Sequence, residues 1–361
     1  MSHVRAINLP PRYETATKTF SGGQGQVLVC KDTYLNREVA IKVIKDATDR
    51  ETLQREIASL SAIESKHVVQ IFDFIKDPKT AAAGIVQEYL AGDDVSDFST
   101  GGMKSVPDYL KVLFQIASGI ADIHSHGKIH RDIKPINMKF DAEGILKIFD
   151  FGLACDHKPA PVTTAARGTD VYRAPELYAA SPVTFTPAVD TYAFGVSAWE
   201  ILDPKFPRGF LEMPPFDTSA APSFSTQAIG LPPAIVNILD LTLSRDPEAR
   251  PTMSQVRDVV VGHLLFGKHE GRLTYDDKSY KLAGINKSIG IKTPGFASFA
   301  LHYDGFAFCV RNISGNVNIN NISAVENAPL PGSCVITISP QDAGQWQRYL
   351  TFDISHPEVI I

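Results

Sequence analysis

The chain has few cysteines and lacks long apolar runs, and these shortages exclude several classes of protein. Its 361 residues include four cysteines, none of them in a Cys-x-x-Cys pair, so neither a zinc knuckle nor a disulfide framework is indicated. No apolar run approaches the roughly 20 residues that span a bilayer. Residues 1–11 also lack the apolar core of a signal peptide. We therefore expect a soluble, cytoplasmic protein that has no membrane partner.

An excess of basic residues is also missing. The formal net charge is −5, which gives no basis for binding a nucleic-acid polyanion. The composition, with 44% hydrophobic and 21% charged residues, is that of an ordinary globular protein. A chain of this length is expected to form two or three domains.

The spacing of apolar residues changes along the chain and indicates three parts. Residues 13–90 contain mostly β-rich runs with one helical segment, whereas residues 107–126 carry apolar side chains on one helical face. The many prolines at 203–233 exclude a continuous helix there. After residue 267, short alternating runs separated by Gly, Asn and Ser predict a compact β-sandwich.

Two segments carry the groups that phosphoryl transfer needs: His130–Asn137 (HRDIKPIN) and Asp150–Gly152 (DFG). The reaction requires an oriented hydroxyl, a metal–nucleotide complex and neutralised charge. Asp132 can orient the hydroxyl and accept its proton. Asn137 and Asp150 can supply oxygen ligands to a metal ion.

The segment Val39–Lys42 (VAIK) ends an apolar run with a lysine. A lysine in this place can direct its ammonium group into a cleft and contact phosphates. A lysine exposed at the surface of an edge strand would give the same sequence pattern. Glu56 on the following helix is the natural counter-ion, and Glu51 is the competing candidate. We prefer Glu56 because Leu60 then lies one helical turn below it and can face the core.

The segment Phe20–Val27 (FSGGQGQV) is rich in glycine. Gly22, Gly23 and Gly25 would let backbone amides approach phosphates without a Cβ in the way. A glycine-rich hairpin turn has the same pattern. The position of this segment, one short strand before the lysine strand, favours the phosphate-binding interpretation.

In this order, the segments resemble those of eukaryotic-like (Hanks-type) Ser/Thr protein kinases of the bacterial type, over about residues 13–266. The resemblance implies an α+β, bilobal protein-kinase fold at 13–268, which follows a tail at 1–12. Its β-rich N-lobe would occupy 13–90 and its helical C-lobe 91–268. The resemblance also implies ATP and Mg²⁺ as cofactors, and protein substrates that are phosphorylated on Ser or Thr.

The resemblance implies a role for each matching position. Asp132 would be the catalytic base, Lys134 would neutralise the transferring phosphoryl group, and Lys42 with Glu56 would bind the phosphates. Lys134 also favours Ser or Thr over Tyr as the acceptor. Nucleotide contacts are implied for Gly22, Gly23, Gly25, Val27, Ala40, Lys42, Glu88, Leu90 and Met138, and metal contacts for Asn137 and Asp150.

The segment Val86–Leu90 resembles the kinase hinge. The Glu88 carbonyl and the Leu90 amide would bond the adenine edge, with Gln87 at the back of the pocket. Lys139 departs from the family pattern, because an apolar residue is common at that position on the pocket floor. Met138 can compensate for this departure.

Three further matches have structural roles. Glu176, in the segment Ala174–Glu176 (APE), is expected to pair with Arg250. Asp190 is expected to bond the backbone of the catalytic loop. His130 is expected to pack beside the DFG loop, and the spacing of the nearby histidines does not support a zinc site.

The activation segment from Asp150 to Glu176 contains several threonines. We hypothesise that Thr163 or Thr164 is an autophosphorylation site whose phosphate pairs with Arg131. The alternative is that both threonines are simply solvated. By the same resemblance, Thr169 would bond Asp132 and Lys134.

Residues 271–361 resemble forkhead-associated (FHA) domains in their strand pattern. The phosphothreonine-binding signature of that family is not found. Arg311, Ser314 and Asn316 could contact a phosphate, but an asparagine-rich turn explains them as well. We therefore expect a phospho-independent protein-binding, self-docking or regulatory role.

Two alternatives to an active protein kinase stay open at this point. A pseudokinase scaffold would fit the replacement of the first glycine of the loop by Phe20 and the presence of Lys139. A small-molecule kinase fits less well, because such enzymes usually lack the Ala-Pro-Glu segment and its arginine partner.

Overall fold

A computed structural model describes residues 7–22, 25–44, 57–58, 60–77, 82–96, 105–150, 155–156, 170–179, 185–340 and 346–359. The chain divides into two compact units, Met1–Val260 and Val261–Ile360. The predicted domains, 13–268 and 271–361, place the boundary between the two units slightly later in the chain, and these limits stay predictions.

The first unit begins with an antiparallel five-stranded sheet in the order β1-β2-β3-β5-β4. Alternate residues of β3, namely Val39, Ile41 and Val43, are almost fully buried, as expected when β-branched side chains cover one face of a strand. The strands are β1 (Tyr13–Gly22), β2 (Gly25–Asp32), β3 (Arg37–Ile44), β4 (Ile71–Lys76) and β5 (Ala83–Glu88). This sheet confirms the β-rich start predicted from the sequence.

The rest of the first unit is mainly helical. Helix α1 (Val106–Ser125) begins at Ser105, whose hydroxyl accepts the Asp108 amide, and its apolar face is buried, as the periodicity predicts. The other helices are α2 (Ala188–Leu202), α3 (Pro233–Thr242) and α4 (Met253–Leu264). The proline-rich stretch at 203–233 forms only short 3₁₀ turns, at Arg208–Leu211 and Phe224–Thr226.

Short strands follow α1 and carry the candidate catalytic loop between them. They are β6 (Lys128–Ile129), β7 (Met138–Phe140), β8 (Leu146–Ile148) and β9 (Cys155–Asp156). β7 pairs with β8, and β6 pairs with β9. Further 3₁₀ turns lie at Pro135–Asn137, Asp170–Tyr172, Pro175–Tyr178 and Pro247–Ala249.

The second unit contains an eight-stranded sheet, in the order β11-β10-β17-β16-β14-β13-β12 with β15 beside β14. The strands are β10 (Glu270–Tyr275), β11 (Lys278–Ala283), β12 (Lys287–Thr293), β13 (Ala297–Tyr303), β14 (Phe308–Ile319), β15 (Ile322–Ser323), β16 (Ser333–Ser339) and β17 (Arg348–Ile354). The all-β prediction is confirmed.

The long strand β14 connects the two halves of this sheet. Its first part pairs with β13 and its last part, from Asn316, pairs with β16. Gly315 lies at the change of partner with φ +86, and a Cβ there would lie 2.6 Å from the Phe296 carbonyl oxygen. A side chain is therefore excluded where the strand turns from one neighbour to the other. Buried aromatic residues, including Tyr303, Phe308 and Phe352, fill the core.

The parts of the chain that the structure describes contain no helix with the length and apolar character needed to cross a bilayer.

Close packing of α2 against α3 depends on Gly195. A Cβ at Gly195 would lie against the Thr242 hydroxyl and 2.9 Å from the Leu243 side chain. We expect Gly195→Ala to lower the free energy of unfolding by about 1–3 kcal/mol, because overpacking outweighs the helix propensity of alanine. The measurement is chemical denaturation of the full chain.

Gly262→Ala in α4 is the matched control, because a Cβ there meets no atom within 4 Å. This variant should be stabilised by about 0.5–1 kcal/mol through helix propensity alone. Equal shifts for the two variants would contradict the packing argument.

Candidate active site

The loop between β6 and β7 is fixed by one buried carboxylate. Asp190, fully buried in the first turn of α2, accepts the backbone amides of His130 and Arg131, each at 2.8 Å. The His124 ring nitrogen Nε2 lies 2.9 Å from the same carboxylate. Because these bonds replace water around a buried charge, they hold the loop in one conformation. The predicted capping role of Asp190 is confirmed.

The backbone is strained on both sides of the site. Arg131 and Asp150 each have φ +68, a backbone conformation that residues other than glycine rarely adopt. Such conformations persist only where surrounding contacts enforce them. At Arg131 the bond from its amide to Asp190 supplies such a contact.

Two neighbours on the same loop orient the Asp132 carboxylate. The Asn137 side-chain amide donates to the Asp132 carbonyl and to its Oδ2, each at 2.8 Å. Lys134 Nζ lies 2.8 Å from Asp132 Oδ1. Asp132 is buried, and these two partners balance its charge. This arrangement can accept a proton from a hydroxyl group.

A second charged pair joins the sheet to the end of β8. Lys42 on β3 is hydrogen-bonded through its Nζ to Asp150 Oδ1, although 108 residues separate them in sequence. Lys42 pairs across the sheet with Val27 of β2 and Ile85 of β5, and this register fixes where its side chain leaves the sheet. The pair brings the predicted phosphate-binding lysine to a predicted metal ligand.

The residues predicted to hold Mg²⁺ suit a hard cation. The Asn137 amide nitrogen donates to Asp132, and its side-chain oxygen is the group that could serve as a metal ligand. The Phe149 amide donates to the Asn137 carbonyl at 3.0 Å, which ties this residue to the segment that ends at Asp150. Carboxylate and amide oxygens are the ligands that Mg²⁺ prefers.

His130 has a structural place, as predicted. Its Nε2 lies 3.2 Å from the Phe149 carbonyl oxygen, next to Asp150. Burial lowers the pKa of His130, against the opposing effect of nearby carboxylates, so the ring is neutral at physiological pH. In the part of the chain that the structure describes, no three His, Cys, Asp or Glu side chains are grouped as a metal site.

The far end of the activation segment is tied by a buried ion pair. Both Arg250 terminal nitrogens donate to the Glu176 carboxylate, each at 2.7 Å, and the Arg250 side chain is fully buried. The guanidinium also donates to the carbonyls of Ser244 and Ala188. The planar guanidinium group can make these bonds at the same time, whereas the ammonium group of a lysine could not. The predicted pair is confirmed.

The residues predicted to bind adenine lie where the chain leaves the sheet at the end of β5. Ala40 is opposite Gln87, and Val39 is opposite Glu88, so Ala40 and the hinge strand share one stretch of sheet. The Glu88 carboxylate lies 3.1 Å from Lys147 Nζ. Leu90 is 8% exposed and Ala40 is 6% exposed.

Met138 and Lys139 point to opposite faces of β7, because side chains alternate along a strand. Met138 is fully buried, whereas Lys139 is partly exposed and its Nζ lies 3.5 Å from Asp94 Oδ1. The backbones of Asp94 and Lys139 also form a β-bridge. Lys139 can therefore cover the floor with its methylene groups and direct its charge to Asp94.

Several predicted residues lie outside the described residues, namely Gly23, Glu56, Glu51, Phe151, Gly152, Thr163, Thr164 and Thr169. Gly22 and Gly25 lie opposite each other at the ends of β1 and β2. Residues 57–58 and 60–61 are helical, with Ile57 and Leu60 buried, directly after Glu56.

Two pairs were missed by the sequence analysis. Asp94, four residues after Leu90, is the partner of Lys139, and an acidic residue just beyond the hinge is its only local signal. The Tyr172 hydroxyl donates to the Glu200 carboxylate, which joins the segment before Arg173 to α2. No local spacing could have indicated this second pair.

Comparison with known proteins agrees with this geometry. The family model described as "Protein kinase domain" matches residues 13–260. The chain belongs to the protein kinase family. It is 30% identical over 264 residues to a probable serine/threonine-protein kinase, pknA2, of Bifidobacterium longum, with 67% of this chain and 33% of that protein covered. It is 32% identical over 269 residues to the serine/threonine-protein kinase pkn2 of Myxococcus xanthus, with 68% and 32% covered.

A shorter match, 37% identical over 197 residues, links it to a kinase of Corynebacterium efficiens, drp72, with 52% of this chain and 38% of that protein covered. This kinase chain thus spans about a third of the length of these curated relatives. The prediction of a Ser/Thr protein kinase of the bacterial type is confirmed at the level of family, and the comparisons do not support the pseudokinase alternative. The family model ends at residue 260, so the FHA-like character of the second unit stays a prediction.

Loss of one acceptor oxygen at Asp190 is expected to lower both the stability of the protein and its turnover. In Asp190→Asn, one carboxylate oxygen becomes an NH₂ group, which cannot accept a hydrogen bond. That group would face either His124 and the His130 amide, which lie at Oδ2, or the Arg131 amide, which lies at Oδ1. We expect the free energy of unfolding to fall by about 2–4 kcal/mol, as for a broken buried network. Turnover at pH 7 should fall at least tenfold. Chemical denaturation and kinase assays measure both effects.

Asp122→Asn on α1 is the control, since Asp122 is only partly buried. A similar loss in both variants would contradict a special role for Asp190. Burial raises the pKa of Asp190, but the hydrogen bond and charge of His124, together with the bond from the His130 amide, outweigh it and hold the pKa below its ordinary value. The stabilisation by this carboxylate should thus be complete at neutral pH and be lost only as the pH falls below about 4.

Lys139→Met tests whether the departure from the family pattern matters. The Lys139–Asp94 pair is partly exposed, and such pairs contribute about 0–1 kcal/mol. Methionine keeps an apolar chain on the floor, so the Kd for ATP should change less than about threefold. The same substitution at Lys42 should reduce turnover by about two orders of magnitude. Equal effects at the two positions would contradict this view.

Proposed function

We propose that this kinase transfers the γ-phosphoryl group of ATP to Ser or Thr hydroxyls of protein substrates. The arrangement of Asp132 supports the proposal most directly. Its carboxylate is oriented by Asn137 and Lys134 within a loop that Asp190 clamps. A binding module or scaffold has no need for such an oriented carboxylate.

Each residue then has a chemical task. Asp132 orients the acceptor hydroxyl and accepts its proton as the new oxygen–phosphorus bond forms and the bond to the β-phosphate oxygen breaks. Lys134 lies within hydrogen-bond distance of Asp132, where it can offset charge on the transferring group. Lys42 neutralises phosphate charge, and Glu56 is its proposed counter-ion. Mg²⁺, held by Asn137 and Asp150, supplies further neutralisation when bound.

The remaining nucleotide contacts are proposed from the family resemblance and the sheet geometry. Gly22, Gly23 and Gly25 would cover the phosphates, because β1 ends at Gly22 and β2 begins at Gly25, opposite it. Val27 and Ala40 would pack against the adenine, with the methylene groups of Lys139 on the floor and Met138 buried on the opposite face of β7 as support. The Glu88 carbonyl and the Leu90 amide would bond the edge of the adenine.

Autophosphorylation at Thr163 or Thr164 is part of the proposal. Arg131, its suggested phosphate partner, stacks its guanidinium on Phe185 at 3.8 Å. The Arg131 Nε is buried and makes no hydrogen bond within the described residues. A phosphate could supply the missing acceptor.

For the second unit we propose phospho-independent protein binding or regulation of the kinase. The groups that could have received a phosphate have local partners: Arg311 Nε donates to Asn327 at 3.0 Å, and Asn316 donates to the Pro340 carbonyl. The Glu326 carboxylate accepts the Asn312 and Ile313 amides, which adds negative charge at this turn. The cytoplasmic location, and the lack of nucleic-acid and membrane partners, are proposed from the composition alone.

The test is an assay of the full chain with labelled ATP and Mg²⁺, beside Asp132→Ala and with mapping of the labelled residues. We expect label on Thr163 or Thr164 in the wild type, and a rate at least about 10²-fold lower in the variant. ATP binding should be almost unchanged, because Asp132 faces the acceptor rather than the nucleotide.

Asp258→Ala is the matched control, since that carboxylate is exposed and its ion pair is with the adjacent Arg257. A wild-type rate in Asp132→Ala would refute the role of Asp132. No label from the wild type, with ATP binding retained, would overturn the proposed activity and favour a scaffold.

A further inference from the structure

A short segment ahead of β1 packs against the side of the five-stranded sheet that faces away from the Lys42 side chain. We call this segment, Ile7–Arg12, the strap. Ile7 is 5% exposed and belongs to an apolar cluster with Ile41 and Val43 of β3. Because side chains alternate along a strand, the Lys42 side chain between them leaves the opposite face. The strap and the predicted nucleotide site therefore lie on opposite sides of the same strand.

The strap is anchored near both of its ends. The Asn8 backbone amide donates to Asp77 Oδ2 at 3.0 Å, and its side-chain amide lies 3.2 and 3.3 Å from the two Asp77 oxygens. Asp77, directly after β4, is fully buried. Arg12 donates through Nε and Nη2 to the Asp32 carboxylate, at 2.8 and 2.7 Å. A bond to a buried carboxylate at one end and a bidentate ion pair at the other hold the strap in one position.

Gly84 on β5 shows how closely Ile7 is packed. A Cβ at Gly84 would lie 3.2 Å from Ile7 Cδ1 and 3.0 Å from the Ile41 side chain. The next residue of β5, Ile85, lies opposite Lys42 in the sheet. Ile7 thus packs against β3 and β5 directly beside the pair that includes Lys42. β3 carries this lysine, and β5 leads into the predicted hinge.

We propose that Ile7 is a positioning residue for nucleotide binding: by packing behind β3 and β5, it holds Lys42 and the hinge strand at the spacing that ATP needs. Ile7 lies on the far face of the sheet, so its effect passes through the strands. Protein interiors are close-packed, and loss of a buried side chain lets the neighbouring backbone shift. The inference rests on the proposed use of ATP, and it adds a part of the chain outside the predicted nucleotide site.

The test measures the Kd for ATP with Mg²⁺ by calorimetry on the full chain, and steady-state kinetics with a peptide substrate. Ile7→Ala should raise the Kd and the KM for ATP by about three- to tenfold, because a shift of Lys42 weakens its contact with phosphate. The KM for the peptide should stay within about twofold, since the loop that carries Asp132 lies outside this sheet. Loss of stability alone would lower the fraction of folded enzyme, and with it kcat, without changing the KM for ATP.

Ile235→Ala is the matched control, because Ile235 is fully buried in α3 of the same unit. This variant should be destabilised at least as much as Ile7→Ala, since both lose the same buried atoms, yet it should bind ATP as the wild type does. Ile7→Val keeps most of the contact with the sheet, so its Kd for ATP should also match that of the wild type.

An exchange of volume tests the contact itself. Gly84→Ala alone should weaken ATP binding, because the new methyl group meets Ile7 and Ile41. In the Ile7→Ala background the same methyl group enters an emptied space, so the double variant should regain part of the lost affinity. The change in the double variant should therefore be smaller than the sum of the two single changes.

The outcomes separate this inference from the proposed function. A Kd for ATP that changes equally in Ile7→Ala and Ile235→Ala, or in neither, would overturn the inference and leave the kinase activity intact. Binding of ATP that depends on Ile7, in a wild type that labels no protein or peptide, would support the inference and overturn the proposed activity. A wild type that binds no ATP would overturn both.

Discussion

The Asp190 carboxylate is the interaction on which the candidate site depends. It is fully buried in α2, yet it accepts two consecutive amides of the loop that carries Asp132. A buried charge is stable only when its hydrogen bonds are complete, so the helix and the loop fix each other. Asn137 and Lys134 can then orient Asp132, because their own backbone is already in place. The same loop leads into β7, which pairs with the strand that ends beside Asp150.

Much of this site could be predicted from the sequence, because its parts lie in short segments with fixed chemical roles. Asp132, Lys134 and Asn137 share one loop, so their spacing alone places them together. The Glu176–Arg250 pair was predictable for a different reason: each partner lies in its own recognisable segment. Helix α1 followed from apolar periodicity, and the all-β second unit from alternation.

Other features could not be predicted, because they depend on how distant segments meet. The pairing of Asp94 with Lys139 requires the backbone bridge between them, and neither residue has a local pattern that indicates the other. The same holds for Tyr172 and Glu200, and for the contact of Gly195 with Thr242. Ile136, on the loop that carries Asp132, is 68% exposed. This exposure could not be predicted either, because an isoleucine within a run of buried residues is expected in the core.

The pair between Glu176 and Arg250 has a consequence for how the protein is made. The partners lie 74 residues apart, and Arg250 comes near the end of the first unit. A chain emerging from the ribosome presents Glu176 first, and its arginine follows only after α2 and α3 have been synthesised. The far end of the activation segment therefore lacks this ion pair until almost the whole first unit has emerged, whereas the bond of Tyr172 to Glu200 can form earlier.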